Sequence, residues 1–173
     1  MDESPIMKSK IILFFLSALV AQAYEPYNSF IEKWEGRRYG VYIDSTGNPT
    51  IGVGFNLKTA NDELKRAANS GRMTDEQINH FLEIEVIEAK NRAIKLFSSF
   101  HSQPEEIKLI LVDLSYNLGN NRLKNFIKFR AAINGHDYKE AARELIASRW
   151  FGQVGRRSRH HVEVLLSFSQ DKS

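Results

Sequence analysis

Trp34-Glu35-Gly36-Arg37-Arg38-Tyr39-Gly40-Val41-Tyr42-Ile43-Asp44, continued by Ser45-Thr46-Gly47-Asn48-Pro49 and Thr50-Ile51-Gly52-Val53-Gly54, is the stretch whose periodicity changes and whose reading decides the fold. Ahead of it, Tyr27, Phe30, Ile31 and Trp34 fall at i, i+3, i+4 and i+7, a helical stripe that ends at Gly36. From Arg37 onward Tyr39, Val41 and Ile43 alternate with Gly40 and Tyr42, as in a short strand. Asp44 to Pro49 is a dense turn signal, and Thr50 to Gly54 reads as a returning strand. The segment is therefore expected to form a small antiparallel hairpin sheet directly after a helix.

Outward from the hairpin the chain reads as helices. Thr59 to Ser70 is expected to be helical and stopped by Gly71. Thr74 and Gln77 form a capping box for a long helix that runs to about Ser98. That helix is apolar on most of its circumference, with Ile78, Phe81, Leu82, Ile84, Val86, Ile87, Ile94, Leu96 and Phe97, so it suits a buried central element. Further helices are expected from Pro104 to near Gly119, and over Leu123–Ile133, Asp137–Ser148 and about Arg156–Phe168. The fold class is α+β: a small antiparallel hairpin sheet in an N-terminal lobe, a long central helix, and a helical C-terminal lobe.

The 173 residues are 42% apolar and 26% charged, which excludes a disordered, collagen-like or multi-span membrane chain. There is no cysteine, so disulfides, thiolate metal sites and a cysteine nucleophile are excluded. A net charge of +3 is compatible with an anionic partner without specifying one, and no basic run is long or aromatic-laced enough to argue for nucleic acid. His80, His101 and His136 lack ligand-spaced companions, and His160-His161 suits a surface helix; no metal and no cofactor are expected. Gly52-x-Gly54 lacks the rest of a phosphate-binding fingerprint, and Glu83, Glu85 and Glu88 read as solvated helix charges.

The first residues read as an address. Lys8 and Lys10 precede the apolar run from Ile11 to Val20, and Ala21-Gln22-Ala23 has the small-x-small form of a signal-peptidase site. The run is short for a membrane span. Residues 1–23 are thus expected to be a signal peptide and residues 24–173 the mature domain, with either Met1 or Met7 as the start.

Glu35 at a helix end, Asp44 at a hairpin mouth and Thr50 at the start of the returning strand can converge on one cleft. Glycoside hydrolysis needs such a set: one carboxyl group protonates the leaving oxygen, a second handles the water or the developing positive charge, and a hydroxyl helps hold the water. Taken singly, Glu35 is an ordinary last-turn residue and Asp44 a turn former; the spaced set followed by Thr-Ile-Gly-Val-Gly is what points to chemistry.

The pattern E-G-x7-D-x5-T-I-G-x-G resembles the phage-type lysozymes, glycoside hydrolase family 24. Ser148-Arg149-Trp150-Phe151-Gly152-Gln153 with Arg156-Arg157, and Asp113 to Asn120, resemble later segments of that family, so the likeness runs from Phe30 to about Val164. The resemblance implies a two-lobed lysozyme-like fold and an inverting muramidase acting on the β-1,4 bond from N-acetylmuramic acid to N-acetylglucosamine in peptidoglycan glycan strands. It implies Glu35 as general acid, Asp44 as base or electrostatic partner and Thr50 as a holder of the attacking water. It also implies Gly54, Asn56 and Tyr116 in substrate binding, and Arg157 as a supporting residue beside the glutamate. A secreted or periplasmic, bacteriolytic monomer is expected, with no membrane association after cleavage. A lytic transglycosylase or chitinase on the same fold, or a catalytically silent glycan-binding protein, are the alternatives.

The chain also departs from the family. Phe55 stands where members often carry a histidine, which removes a histidine–carboxylate pair and bears on stability. Tyr116 aligns with a cleft aromatic, and is equally readable as a core residue. Asn117 and Trp150 are placed to meet through the indole N–H. Phe129 and Glu144 replace polar uncharged residues, which bears on contacts of the C-terminal lobe with glycan or stem peptide. N-terminal sequencing of the exported protein should find Tyr24 first; recovery of Met1 or Met7 would mean an uncleaved anchor.

Overall fold

The computed structural model describes Leu19 and residues 22–169. The leader expected over residues 1–23 lies outside them apart from Leu19, Gln22 and Ala23. Among the described residues no helix is long and apolar enough to cross a membrane. The architecture is α+β, mostly helical with one three-stranded antiparallel sheet, and the chain divides into two units, one up to Ile84 and one from Glu85.

In the first unit helix α1 (22–35) ends as the apolar stripe predicts, with Tyr27 and Ile31 buried and Phe30 and Trp34 half-buried. Strand β1 (Arg38–Ile43) pairs with β2 (Pro49–Gly52), which pairs with β3 (Phe55–Asn56). The returning strand is shorter than its sequence suggests. It stops at Gly52, Val53-Gly54 turn the chain, and the two residues of β3 follow. So short a strand has no periodicity of its own to be read. The predicted helix over Thr59–Ser70 is trimmed to α2 (Asp62–Ala67), because the Asn61 side chain caps it by accepting from the Leu64 N–H at 2.8 Å.

Helix α3 (Asp75–Leu96) opens on the capping box: the Thr74 N–H donates to Gln77 Oε1 at 2.9 Å and the Gln77 N–H to Thr74 Oγ1 at 3.3 Å. It runs through the division between the units. Its apolar surface is less uniform than the composition suggests. Ile78, Phe81, Leu82, Val86 and Phe97 just beyond its end are buried, whereas Ile84, Ile87, Ile94 and Leu96 are half-buried. Phe81 meets Phe55 edge-on at 6.4 Å, so the position expected to lose a histidine gains an aromatic pair in the core instead.

The second unit is helical. After a 3₁₀ turn (Phe100–Ser102) come α4 (Glu105–Leu123), α5 (Ile127–Asn134), α6 (Tyr138–Ile146), α7 (Arg149–Val154) and α8 (Arg156–Ser167). Gly119 interrupts α4 with φ 66° and ψ 173°, but the helix resumes and continues to Leu123, past its expected end. Helix α7, six residues capped by the Ser148 side chain on the Phe151 N–H, is too short for its periodicity to show. The predicted tie between Asn117 and Trp150 is present, with Trp150 Nε1 donating to Asn117 Oδ1 at 2.7 Å.

The polar centre of this unit is Asp113. Its side chain is fully buried; it accepts from Arg157 Nε at 2.8 Å and Arg157 Nη2 at 2.6 Å, and His161 Nε2 lies 2.7 Å from Oδ2. An ionised carboxylate only accepts, so His161 carries its proton on Nε2. His161 is thus a core residue, contrary to the surface reading of His160-His161. Helix α8 buries Arg157, Ser158, His161, Val162 and Leu165, a stripe at i, i+1, i+4, i+5 and i+8, and His161 falls within it. Burial alone would push the Asp113 carboxyl up, but the bonds from His161 and Arg157 and the Arg157 charge hold it below its usual value.

Two stability predictions follow from these packings. Phe81→Ala should destabilise by about 3–5 kcal/mol and lower the melting temperature, with a smaller loss at half-buried Ile84→Ala. Asp113→Asn should cost on the order of 3 kcal/mol near neutral pH, because a buried cation loses its counter-charge. A carboxyl lowered in the fold stabilises above its unfolded pKa of about 4 and loses that contribution as pH falls through the folded value, so urea titrations should show the Asn variant and the parent converging in acid.

Candidate active site

Glu35 is the last residue of α1 and is half-buried. Its carboxylate lies against the turn between β2 and β3: a Cβ on Gly54 would stand 3.4 Å from Glu35 Oε2, and Gly54 has φ +81°. The positive φ is what favours glycine here, since a side chain rarely adopts that conformation.

Asp44 follows β1 and shapes the hairpin turn. Its N–H donates to the Asn48 carbonyl at 2.9 Å, and its Oδ1 accepts from the Thr46 N–H, the Thr46 hydroxyl and the Asn48 N–H, each at 2.8 Å. These bonds, first that from the Asn48 backbone and then that from the Thr46 side chain, hold the carboxyl below its ordinary value. Asp44 is therefore a turn former, and its ionised form is the one the turn stabilises.

Thr50 is 2% exposed in the central strand, and its hydroxyl donates to the Asn48 carbonyl at 3.1 Å. With the donor committed, only the oxygen lone pairs remain for another partner. The sheet register sets Tyr42 opposite Thr50 and Thr50 opposite Asn56, a row across the three strands. Residues directly opposite in antiparallel strands share a face. The Asn56 side chain accepts from the Lys58 N–H at 2.9 Å.

Tyr42, which the spacing did not single out, links these residues. Burial pushes its phenol above the ordinary value; the Arg38 guanidinium, 4.4 Å from the ring centroid, acts against this, and the carboxylates of Glu35 and Asp44 both add to the rise. The signal was available: Tyr42 is the penultimate residue of the strand that leads into Asp44.

In the second unit Tyr116 is half-buried on α4, and Arg157 is 5% exposed on α8, held by Asp113. An open pocket of about 880 Å³ in this unit is lined by Arg122, Lys128, Arg149, Glu144, Phe129 and Trp150 among others. Glu35, Asp44 and Thr50 do not line it, so the size of a pocket is here no guide to the carboxylates. Phe129, 1% exposed, forms part of its wall. Among the described residues there is no group of three or more His, Asp or Glu arranged to hold a metal ion.

No curated protein matches the chain. The model of the phage lysozyme family matches residues 32–162, a span that takes in Glu35, the hairpin with Asp44 and Thr50, the Trp150 segment and Arg157. With that match covering most of the sequence, the chain belongs to the phage lysozyme family and is a lysozyme-type glycosidase of bacterial peptidoglycan.

Proposed function

We propose that the protein is an exported muramidase that hydrolyses the β-1,4 bond from N-acetylmuramic acid to N-acetylglucosamine with inversion at the anomeric carbon. The observation that supports this reading is that one small sheet bears all three groups: Glu35 lies against Gly54 in the turn after β2, Thr50 is in β2, and Asp44 closes the hairpin that leads into β2. Two carboxyl groups in one neighbourhood, beside a hydroxyl with free lone pairs, supply what water-dependent glycoside cleavage requires.

In this mechanism Glu35 gives its proton to the glycosidic oxygen as the bond to the anomeric carbon breaks, and the bonding pair leaves with that oxygen. Water bonds to the opposite face of the anomeric carbon. One of its hydrogens points to Asp44 and the other to the Thr50 lone pairs, which leaves an oxygen lone pair for the attack. Because its turn holds the Asp44 carboxyl low, Asp44 meets the substrate ionised. A weak base of this kind serves first as counter-charge to the oxocarbenium-like state, and takes the proton once the water is bonding to carbon. Gly54 and Asn56 contact the sugars, in a protein that works as a secreted or periplasmic monomer.

Glu35→Gln keeps the shape and loses the proton, so activity on peptidoglycan should fall by at least roughly 10²–10⁴-fold while circular dichroism stays unchanged. Asp44→Asn should also lose activity, and Thr50→Ala less, since a hydroxyl orients and does not transfer the proton. Proton NMR of early product should show a reducing muramic-acid end as the α-anomer. A β-anomer would mean a retaining route, an anhydro end a transglycosylase, activity on chitin alone a chitinase, and no product from any of these glycans a binding protein.

A further inference from the structure

Arg37 stands two residues beyond Glu35 and belongs to none of the motifs above. Its guanidinium makes four hydrogen bonds to three side chains. Nε and Nη2 donate to the two carboxylate oxygens of Glu32 at 2.7 and 2.8 Å, Nη1 to Asp75 Oδ1 at 2.9 Å, and Nη2 also to Asn79 Oδ1 at 2.7 Å. The Tyr39 hydroxyl donates to the same Asp75 oxygen at 3.0 Å. The Arg37 bond and charge hold the Glu32 carboxyl below its usual value, so the pair is ionised through the working range of pH.

The location gives these bonds their meaning. Glu32 lies one turn before Glu35 on α1, and Arg37 lies just after it. Between them the Gly36 N–H closes the last turn on the Glu32 carbonyl at 2.8 Å, with Gly36 at φ +74°. Asp75 and Asn79 are one turn apart at the start of α3. The turn that carries Glu35 is thus held at both ends and tied to a second helix. A helix terminus otherwise frays, since its last carbonyls lack partners within the helix.

We infer that Arg37 is a positioning residue: by drawing Glu32, Asp75 and Asn79 onto one guanidinium it holds the last turn of α1, and with it the Glu35 carboxyl, in the geometry that proton transfer needs. The inference rests on the reading of Glu35 as general acid. The planar, five-donor guanidinium satisfies four acceptor oxygens on three side chains at once, and an ammonium, with three donors, does not. Arg37 is 19% exposed and Asp75 64%, and ion pairs this open contribute little to global stability, so the clamp should be read in kinetics more than in melting temperature.

The test is Arg37→Gln and Arg37→Lys in the full chain, measured by kcat, KM, melting temperature and amide hydrogen exchange at Gly36. Arg37→Gln should lower kcat on the order of 10–100-fold at nearly unchanged KM, because a displaced acid loses transition-state contact without losing substrate binding. Exchange at Gly36 should quicken while the buried middle of α3 stays protected, and Arg37→Lys should restore part of kcat. If Arg37→Gln does not fold, Asn79→Ala removes one of the four bonds and should lower kcat a few-fold with the same split. Unchanged kcat in a folded variant, or unchanged exchange at Gly36, overturns the inference; so does a fall in KM-limited binding with kcat intact. A parent protein that releases no sugar counts against the muramidase reading alone, and Gly36 exchange then still decides whether Arg37 holds the turn.

Discussion

The close approach of the Glu35 carboxylate to the backbone at Gly54 is the constraint around which the first unit is arranged. It requires that α1 stop at Glu35, that the chain leave the helix through Gly36, and that a hairpin return at once with its second turn against the helix end. The positive φ of Gly54 shapes the turn that meets the carboxylate. The short β2 and two-residue β3 serve the same end, since they bring the turn back within one strand's length of the hairpin mouth where Asp44 sits.

The two units treat charge in opposite ways. In the first, the Asp44 carboxylate is held by the backbone N–H groups of Thr46 and Asn48 and by the exposed Thr46 hydroxyl. In the second, Asp113 is fully buried and gathers Arg157 and His161 from α8 onto α4. Burial of an ion pair is costly and adds little net stability, but it permits few alternative packings. A guanidinium bound through Nε and Nη2 to one carboxylate has its orientation set by that plane.

Asp44 shows how the bonds that build a turn also set the charge of the group that accepts them. Its Oδ1 collects three donors and builds the turn, and the same bonds keep it ionised. A group whose fold-forming bonds stabilise its charged form can serve as a counter-charge at no further structural cost. Thr50 shows the complementary economy: its hydroxyl hydrogen secures the Asn48 carbonyl of the same turn, and the lone pairs are what remains for a water.

What could be read from the sequence was whatever depends on neighbours within about one turn. The Thr74–Gln77 box, the end of α1 at Glu35, the hairpin around Asp44 and the α+β order all rest on spacings of two to four residues, and the motif from Glu35 to Gly54 made the carboxylate pair visible. Even the Trp150–Asn117 bond was legible, though only through a family resemblance that linked distant segments. Tertiary structure decided the rest. Elements as short as β3 and α7 leave no period. Tyr42 matters through strand register, and His161 through the face that α8 turns inward. Arg37 and Asp113 draw their importance from partners up to 42 and 48 residues away, and nothing local marks an arginine that will find three acceptor side chains or an aspartate that will be buried beside an arginine and a histidine. A residue's own chemistry is written in its sequence; which groups share its surroundings is settled only when the chain closes on itself, because electrostatics and packing act across space and not along the backbone.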